Sequence, residues 1–229
     1  MSLALITIGQ APREDVVASM FATVHTPFAE YGALDLLDED DIATLAPAST
    51  DMPLVTRLRT GHEVVVGKHA LMPHVQAALD RAVADGATTL AILCTGAFPA
   101  LQSPVPCVYP DKVVSAIVGA LLPAGTLGVV IPHVGQQQGM REKWSTDARG
   151  VKLAVASPYT AAESMPTAVR SLGPCDLIVL DCMGYDRQML AMARSASTVP
   201  VLLSNGVMGA ILGELVEQAA SDGDQVAVG

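Results

Sequence analysis

The sequence predicts an α/β fold with mostly parallel strands, and three observations predict it. Short apolar runs alternate with longer helical patterns almost throughout the 229 residues. The runs are continuously apolar, as strands buried on both faces of a parallel sheet are. Two long stretches of the chain also resemble each other, so the fold reads as one α/β unit used twice.

Taken in order, LALITI is the first strand, and Arg13 to Glu30 reads as a helix. HEVVV follows as a strand, with a helix over Leu71 to Asp85, then LAILC, a connection punctuated by proline, PCVY and a helix from Lys112 to Leu122. The second half runs through LGVVI, a helix near Gln136 to Trp144, VKLAVAS, a helix from Ala161 and LIVLD. A helix after Asp186, VPVLLS and a last helix from Val207 complete it. The stretch SDGDQVAVG from Ser221 has lost helical periodicity and reads as a loose end.

The repeat is carried by SPVPCVYPDKVVSAIVGALL, from Ser103, and STVPVLLSNGVMGAILGELV, from Ser197. Each places Val-Pro, a short strand, a polar corner and a small-residue helix in the same order, and each follows a strand that ends in cysteine. LITIGQAPRE and VVIPHVGQQQ make a fainter pair. Duplication of such a unit puts equivalent strand ends on opposite walls of one cleft. The expected division is residues 1–110 with a C-terminal helix over 206–220 in one domain, and residues 111–205 in the other.

Composition narrows the partners. The net charge is -10, Lys and Arg are scattered singly, and three Phe and one Trp offer few stacking platforms, so no nucleic acid is expected. No apolar run reaches the roughly 18 residues of a membrane-spanning helix. The first strand begins by Leu3, which leaves no room for a signal peptide and predicts a cytoplasmic protein. The four cysteines are then expected as reduced thiols. Without a CxxC or HExxH pattern, and with His62, His69 and His74 spread over a strand-to-helix corner, no metal site is expected. No Gly-x-Gly-x-x-Gly follows the first strand, and GHEVVVGKH lacks the spacing and the Ser or Thr of a phosphate loop, so no cofactor is expected. Gly209, Ala210 and Gly213 permit close helix packing, within the chain or in a homo-oligomer.

In parallel sheets, ligands collect outside the carboxyl ends of the strands. Those ends here carry Gly9 to Arg13, Cys94-Thr95-Gly96, Pro132 to Gln137, Asp181 to Tyr185 and Ser204-Asn205-Gly206. Cys107 and Cys175 read as core. Cys94 and Cys182, each two residues ahead of a glycine, are either buried filler or a matched reactive pair. A thiolate and a thiol on opposite faces of a carbon acid would invert its configuration without a cofactor. A free thiol of pKa about 8.5 falls roughly ten units short of such a carbon acid, a gap of about 14 kcal/mol. One preorganised donor contributes about 3 to 4 kcal/mol, so about three or four are needed. The candidates are the N–H groups after both cysteines and the side chains of Gln10, Thr95, Gln136, Ser204 and Asn205. Gly96 and Gly184 would let the backbone approach a ligand. Arg13 reads either as a carboxylate clamp or as a solvated first-turn residue; Tyr185 either bonds a ligand or closes a helix start. Helix N-termini beside the thiols are expected to lower their pKa toward neutrality.

LALITIGQAPR, LDCMGYDRQ and VPVLLSNGVMGAILGEL resemble the AroM family, over nearly the whole chain. That family is similar in turn to the aspartate/glutamate racemase superfamily. The resemblance implies two pseudo-symmetric Rossmann-like (flavodoxin-like) domains, with a cysteine from each at the interdomain cleft. Cys94 and Cys182 fall where those cysteines belong. The racemases usually carry Asp-Ser after the first strand and a Cys-Asn-Thr corner, where this chain has Gly9-Gln10 and Cys94-Thr95-Gly96, so substrate contacts differ. The resemblance implies a cofactor-independent racemase, epimerase or related isomerase acting on a small amino acid or carboxylate. The alternatives are a one-cysteine isomerase or decarboxylase of a small dicarboxylate, and a carboxylate-binding protein without turnover.

Overall fold

The computed structural model describes residues 2–22 and 27–220, with side chains as far as Val216. The stretch from Ser221 lies outside the described residues. The first half contains β1 (Leu3–Thr7), α1 (Glu14–Met20), β2 (Phe28–Gly32), α2 (Glu39–Thr44), β3 (Pro53–Arg57), β4 (Glu63–Gly67), α3 (Lys68–Ala84), β5 (Thr89–Leu93) and β6 (Cys107–Val108). Then come α4 (Pro110–Leu121), β7 (Gly125–Ile131), α5 (Gln137–Trp144), β8 (Arg149–Val155), α6 (Met165–Ser171) and β9 (Leu177–Leu180). The chain continues into α7 (Arg187–Ser195), β10 (Val201–Leu203) and α8 (Ser204–Ala220).

The strands form two parallel sheets, β2-β1-β5-β6 and β8-β7-β9-β10. Within each sheet the spatial order is the second strand, the first, the third and the fourth to appear, so the same topology occurs twice. The α/β class with parallel sheets, expected from the alternation of apolar runs and helical patterns, is what the structure has. The central strands explain the legibility of that pattern, because β1, β5 and β9 are buried at every position.

Three local expectations are corrected. The helix expected over Arg13 to Glu30 is confined to α1, and β2 follows it as an edge strand paired only with β1. Its first residues are exposed, so it lacks the continuous apolar run that marks a buried strand. HEVVV belongs to neither parallel sheet; as β4 it pairs antiparallel with β3, Leu54 opposite Val66. The last helix starts directly from β10 at Ser204 and not at Val207.

The two halves exchange their final helices. α4 leaves the first sheet, and its Val114 and Val118 pack with Leu127, Val129, Ile131, Leu177 and Val179 of the second. α8 leaves the second sheet, and its Met208, Leu212 and Val216 pack with Leu3, Leu5, Val16, Met20, Ala91 and Leu93 of the first half. Gly209 allows α8 to approach α1, since a Cβ there would collide with the carbonyl oxygen of Met20. Among the described residues, no helix is long and apolar enough to cross a membrane.

Candidate active site

Loops after the carboxyl ends of four central strands converge on one cavity. Ile8 follows β1, Cys94 to Gly96 follow β5, Pro132 follows β7, and Asp181 to Gly184 follow β9. The β3–β4 hairpin closes the space with Leu54, Val55 and Thr56, while Arg13, Gln136, Met140 and Tyr159 complete the walls. The cavity measures about 30 Å³. That is room for two or three waters at about 10 to 15 Å³ each.

The hairpin belongs to the first half but is fastened to the second. The side-chain amide of Gln136 donates to the carbonyl of Pro53 at 3.0 Å, and the hydroxyl of Ser157 donates to Glu63 by a short hydrogen bond.

Cys94 and Cys182 both face the cavity, at corners of the same local form. The N–H of Gly96 donates to Sγ of Cys94 at 3.3 Å, and the N–H of Gly184 donates to Sγ of Cys182 at 3.4 Å. Burial pushes the Cys94 thiol up to about 11, against the lowering effects of the Gly96 N–H and the Lys143 ammonium; Asp181 and Asp111 push it up further. Burial pushes Cys182 up to about 12; the Gly184 N–H and Arg13 oppose this, while Cys94 and Asp181 add to it. The expected lowering toward neutrality is therefore corrected. Neither thiol sits on a helix N-terminus: a loop runs from Cys94 to β6, and α7 begins only at Arg187.

Arg13 is 3% exposed and carries one acceptor for each of its five N–H groups. Asp15 takes two, at 2.9 and 2.8 Å; Tyr159 takes one at 2.9 Å; Thr7 and Thr56 take one each at 3.3 Å. Burial opposes the charge, but Asp15 and Tyr159 more than offset it and hold the guanidinium protonated. Burial also pushes the Tyr159 hydroxyl well above its ordinary range. Arg13 is thus a buried, fully engaged cation and not a solvated first-turn residue. A carboxylate could reach it only by displacing one of these partners.

The structure brings Cys94, Thr95, Gly96, Cys182, Gly184, Arg13 and Gln136 to the same walls, and leaves four other sequence candidates off them. Gln10 spans backbone groups on the far side of its loop, donating to the Leu34 carbonyl and accepting from the Arg59 N–H. Tyr185 is fully buried and its hydroxyl donates to the Ala156 carbonyl at 2.7 Å. Asn205 donates to the carbonyls of Val16 and Met183 at 3.0 and 2.9 Å, which ties the loop after Cys182 to α1. Ser204 is buried beside it at the start of α8. Gln10 and Tyr185 are spent on backbone groups, whereas Ser204 Oγ and Asn205 Oδ1 are buried without a hydrogen-bond partner.

Four residues escaped sequence reasoning: Thr56, Tyr159, Lys143 and Asp181. Thr56 lies on a strand that carried no sequence assignment, and Tyr159 on the connection after β8. Lys143 ends α5 among polar residues, and no local pattern shows that its ammonium turns inward. It donates to the Thr95 carbonyl at 2.8 Å and to both Asp181 oxygens at 3.2 and 2.9 Å, with the Trp144 ring centroid 4.6 Å away. The Trp144 indole N–H donates to the same carboxylate at 2.8 Å. The chemical inventory of the cavity is two thiols, the three hydroxyls of Thr56, Thr95 and Tyr159, the Gln136 amide, an engaged guanidinium and a paired carboxylate. Among the described residues, no group of three or more His, Cys, Asp or Glu side chains is placed to hold a metal ion.

Comparison with solved structures finds the same architecture in enzymes of low identity. An arylmalonate decarboxylase is 16% identical with a TM-score of 0.58, over 94% of this chain and 92% of that one. The aspartate racemase of Picrophilus torridus is 9% identical with a TM-score of 0.58, over 95% of both chains. A glutamate racemase from Francisella tularensis, in complex with D-glutamate, is 8% identical with a TM-score of 0.60, over 96% of this chain and 82% of that one. At such identities the likeness establishes the two-domain racemase and decarboxylase fold. No curated protein matches the sequence. The model of the AroM protein family matches residues 3–216, nearly the whole chain, and the chain belongs to the AroM family.

Proposed function

We propose that the cavity is the active site of a cofactor-independent isomerase, a racemase or epimerase of a small amino acid or carboxylate, with Cys94 and Cys182 as the opposed base and acid. The observation that carries this reading is the placement of the two thiols. They follow equivalent strands of two equivalent halves, accept the same backbone N–H bond, and border one cavity. A reactant carbon between them, with contacts of about 3 to 3.5 Å to each side, calls for sulfurs about 7 Å apart.

The raised thiol values shape the mechanism. At neutral pH both groups are protonated, so the base form is made on binding. Binding releases one thiol proton to solvent, a loss favoured by an α-ammonium group brought beside that sulfur, and the resulting thiolate, once desolvated, is a stronger base than a free one. It removes the α-proton on its face while the other thiol delivers one on the opposite face. Negative charge developing on the carboxylate meets the hydroxyls of Thr56 and Tyr159, which accept from Arg13 and keep their own protons to donate. A cavity of about 30 Å³ admits no amino acid as it stands, so substrate binding requires the hairpin and the second half to part. We place the protein in the cytoplasm, where thiols stay reduced.

The test is a screen of amino acids and small carboxylates in deuterium oxide, read by mass spectrometry at the α-carbon. Exchange in the wild type and its loss in both Cys94→Ala and Cys182→Ala is the expected result. Full exchange in both variants sinks the proposal, and an essential role for one cysteine alone assigns the single-thiol chemistry instead.

A further inference from the structure

The two cysteine corners come from different halves of the molecule, and one buried cluster joins them. Thr95 follows Cys94, and Asp181 precedes Cys182. Lys143 bonds the Thr95 carbonyl and the Asp181 carboxylate together, and the Thr95 hydroxyl donates to the Asp181 carbonyl at 3.1 Å. The Lys143 and Asp181 side chains are 8% and 0% exposed. All ammonium protons have a destination: the carbonyl, the carboxylate and the face of Trp144. Trp144 in turn anchors the carboxylate from the other side.

We propose that Lys143 is a positioning residue that fixes the register of the two thiols across the cleft, by clamping the corner of Cys94 to the corner of Cys182. The inference rests on the two-thiol reading above. A buried ion pair contributes little net stability compared with apolar residues of the same volume, but it imposes a geometry. Here the geometry imposed is the distance between the chain segments on either side of the cavity. The same ammonium faces Cys94, together with Asp181 and Asp111, whereas Arg13 faces Cys182. The two thiols thus have separate cations, and only the one at Cys94 also governs their spacing.

The experiment measures the ratio of two rates by mass spectrometry: bridging of Cys94 to Cys182 by 1,4-diiodobutane, whose extended four-carbon bridge matches sulfurs about 7 Å apart, and single alkylation of each by iodoacetamide. Lys143→Met leaves Asp181 buried and unpaired, so the informative variant is the double change Lys143→Met with Asp181→Asn, which removes both charges and keeps an acceptor for Trp144. Taking the ratio cancels changes in thiol reactivity. The wild type is expected to bridge, and the double variant to lose roughly tenfold or more in the ratio, as misplacement on the order of 1 Å does. Lys143→Arg, which keeps the donors and the charge, is expected to stay within about twofold of the wild type. A bridged wild type with an unchanged double variant overturns the role of Lys143 and leaves the two-thiol reading intact. An equal loss in Lys143→Arg assigns the effect to packing of α5 and also overturns it. A wild type that does not bridge overturns the two-thiol reading itself.

Discussion

The indole N–H of Trp144 donates to Oδ2 of Asp181 at 2.8 Å, one residue ahead of Cys182. Trp144 is the only tryptophan of the chain and is fully buried. Its emission should therefore be blue-shifted and report on the cavity wall. Alkylation of the thiols, or saturation with a carboxylate ligand, should change its intensity. Asp181→Leu leaves Lys143 buried without a counter-ion and should cost about 3 to 5 kcal/mol. The double change Lys143→Met with Asp181→Asn should recover most of that loss, as read from urea unfolding followed at Trp144.

Thiol reactivity should be suppressed at neutral pH. With pKa values of about 11 and 12, Cys94 and Cys182 should hold on the order of a few hundredfold and a few thousandfold less thiolate at pH 8 than an exposed thiol of pKa about 8.5, and alkylate correspondingly slowly. The rate should keep rising with pH beyond 10. The folded-state values lie above the unfolded one, so the folded protein holds its protons longer. The resulting stability is complete below about pH 8.5 and drains away as pH climbs through the folded values. The melting temperature of the wild type should thus fall in alkali more steeply than that of Cys94→Ala or Cys182→Ala.

Arg13 depends on Asp15 for two of its five bonds. Asp15→Ala strands a buried charge and should destabilise by about 3 kcal/mol. The vacated fork is open to a small anion through the surface depression that Arg13 and Asp15 share with Arg57 and Arg59. Acetate or formate should then raise the melting temperature of this variant and leave that of the wild type unchanged. A variant that melts alike with and without acetate would mean that Asp15 does not fill a carboxylate site.

Two glycines make a contrasting pair. Gly209→Ala puts a methyl group into the Met20 carbonyl and should cost about 2 kcal/mol or more by forcing α8 off α1. At Gly119, in α4, nothing lies within 4 Å of an added Cβ. Gly119→Ala should stabilise by about 0.5 to 1 kcal/mol, because alanine gives up less backbone freedom in a helix. Chemical denaturation of the two variants separates these signs.

The parallel sheets and the two cysteine corners could be read from the chain because their signals are local. LAIL and LIVL are apolar at every position, and a thiol follows at once in the first and after Asp181 in the second, which is a pattern of adjacent residues. β2 and β3 were not legible for the opposite reason, and β4, legible as a strand, gave no sign of its antiparallel partner. The outer face of β2 is wet, and PLVTR and EVVVG bury their residues against each other and the cleft, not in a parallel sheet. Long-range polar geometry was also invisible. Nothing near Lys143 announces Thr95, and nothing near Arg13 announces Thr56 or Tyr159. Asn205 misled because a polar side chain at a strand end serves a backbone carbonyl as readily as a ligand.

The crossing of α4 and α8 bears on how the protein is made. The face of the first sheet formed by Leu3, Leu5, Ala91 and Leu93 waits for Met208, Leu212 and Val216, among the last described residues to be synthesised. At about 5 to 20 residues per second, the nascent first half carries that bare apolar face for several seconds before its cover leaves the ribosome. The first half on its own is then a client for chaperones, and a premature stop ahead of α8 would damage the sheet at the opposite end of the chain.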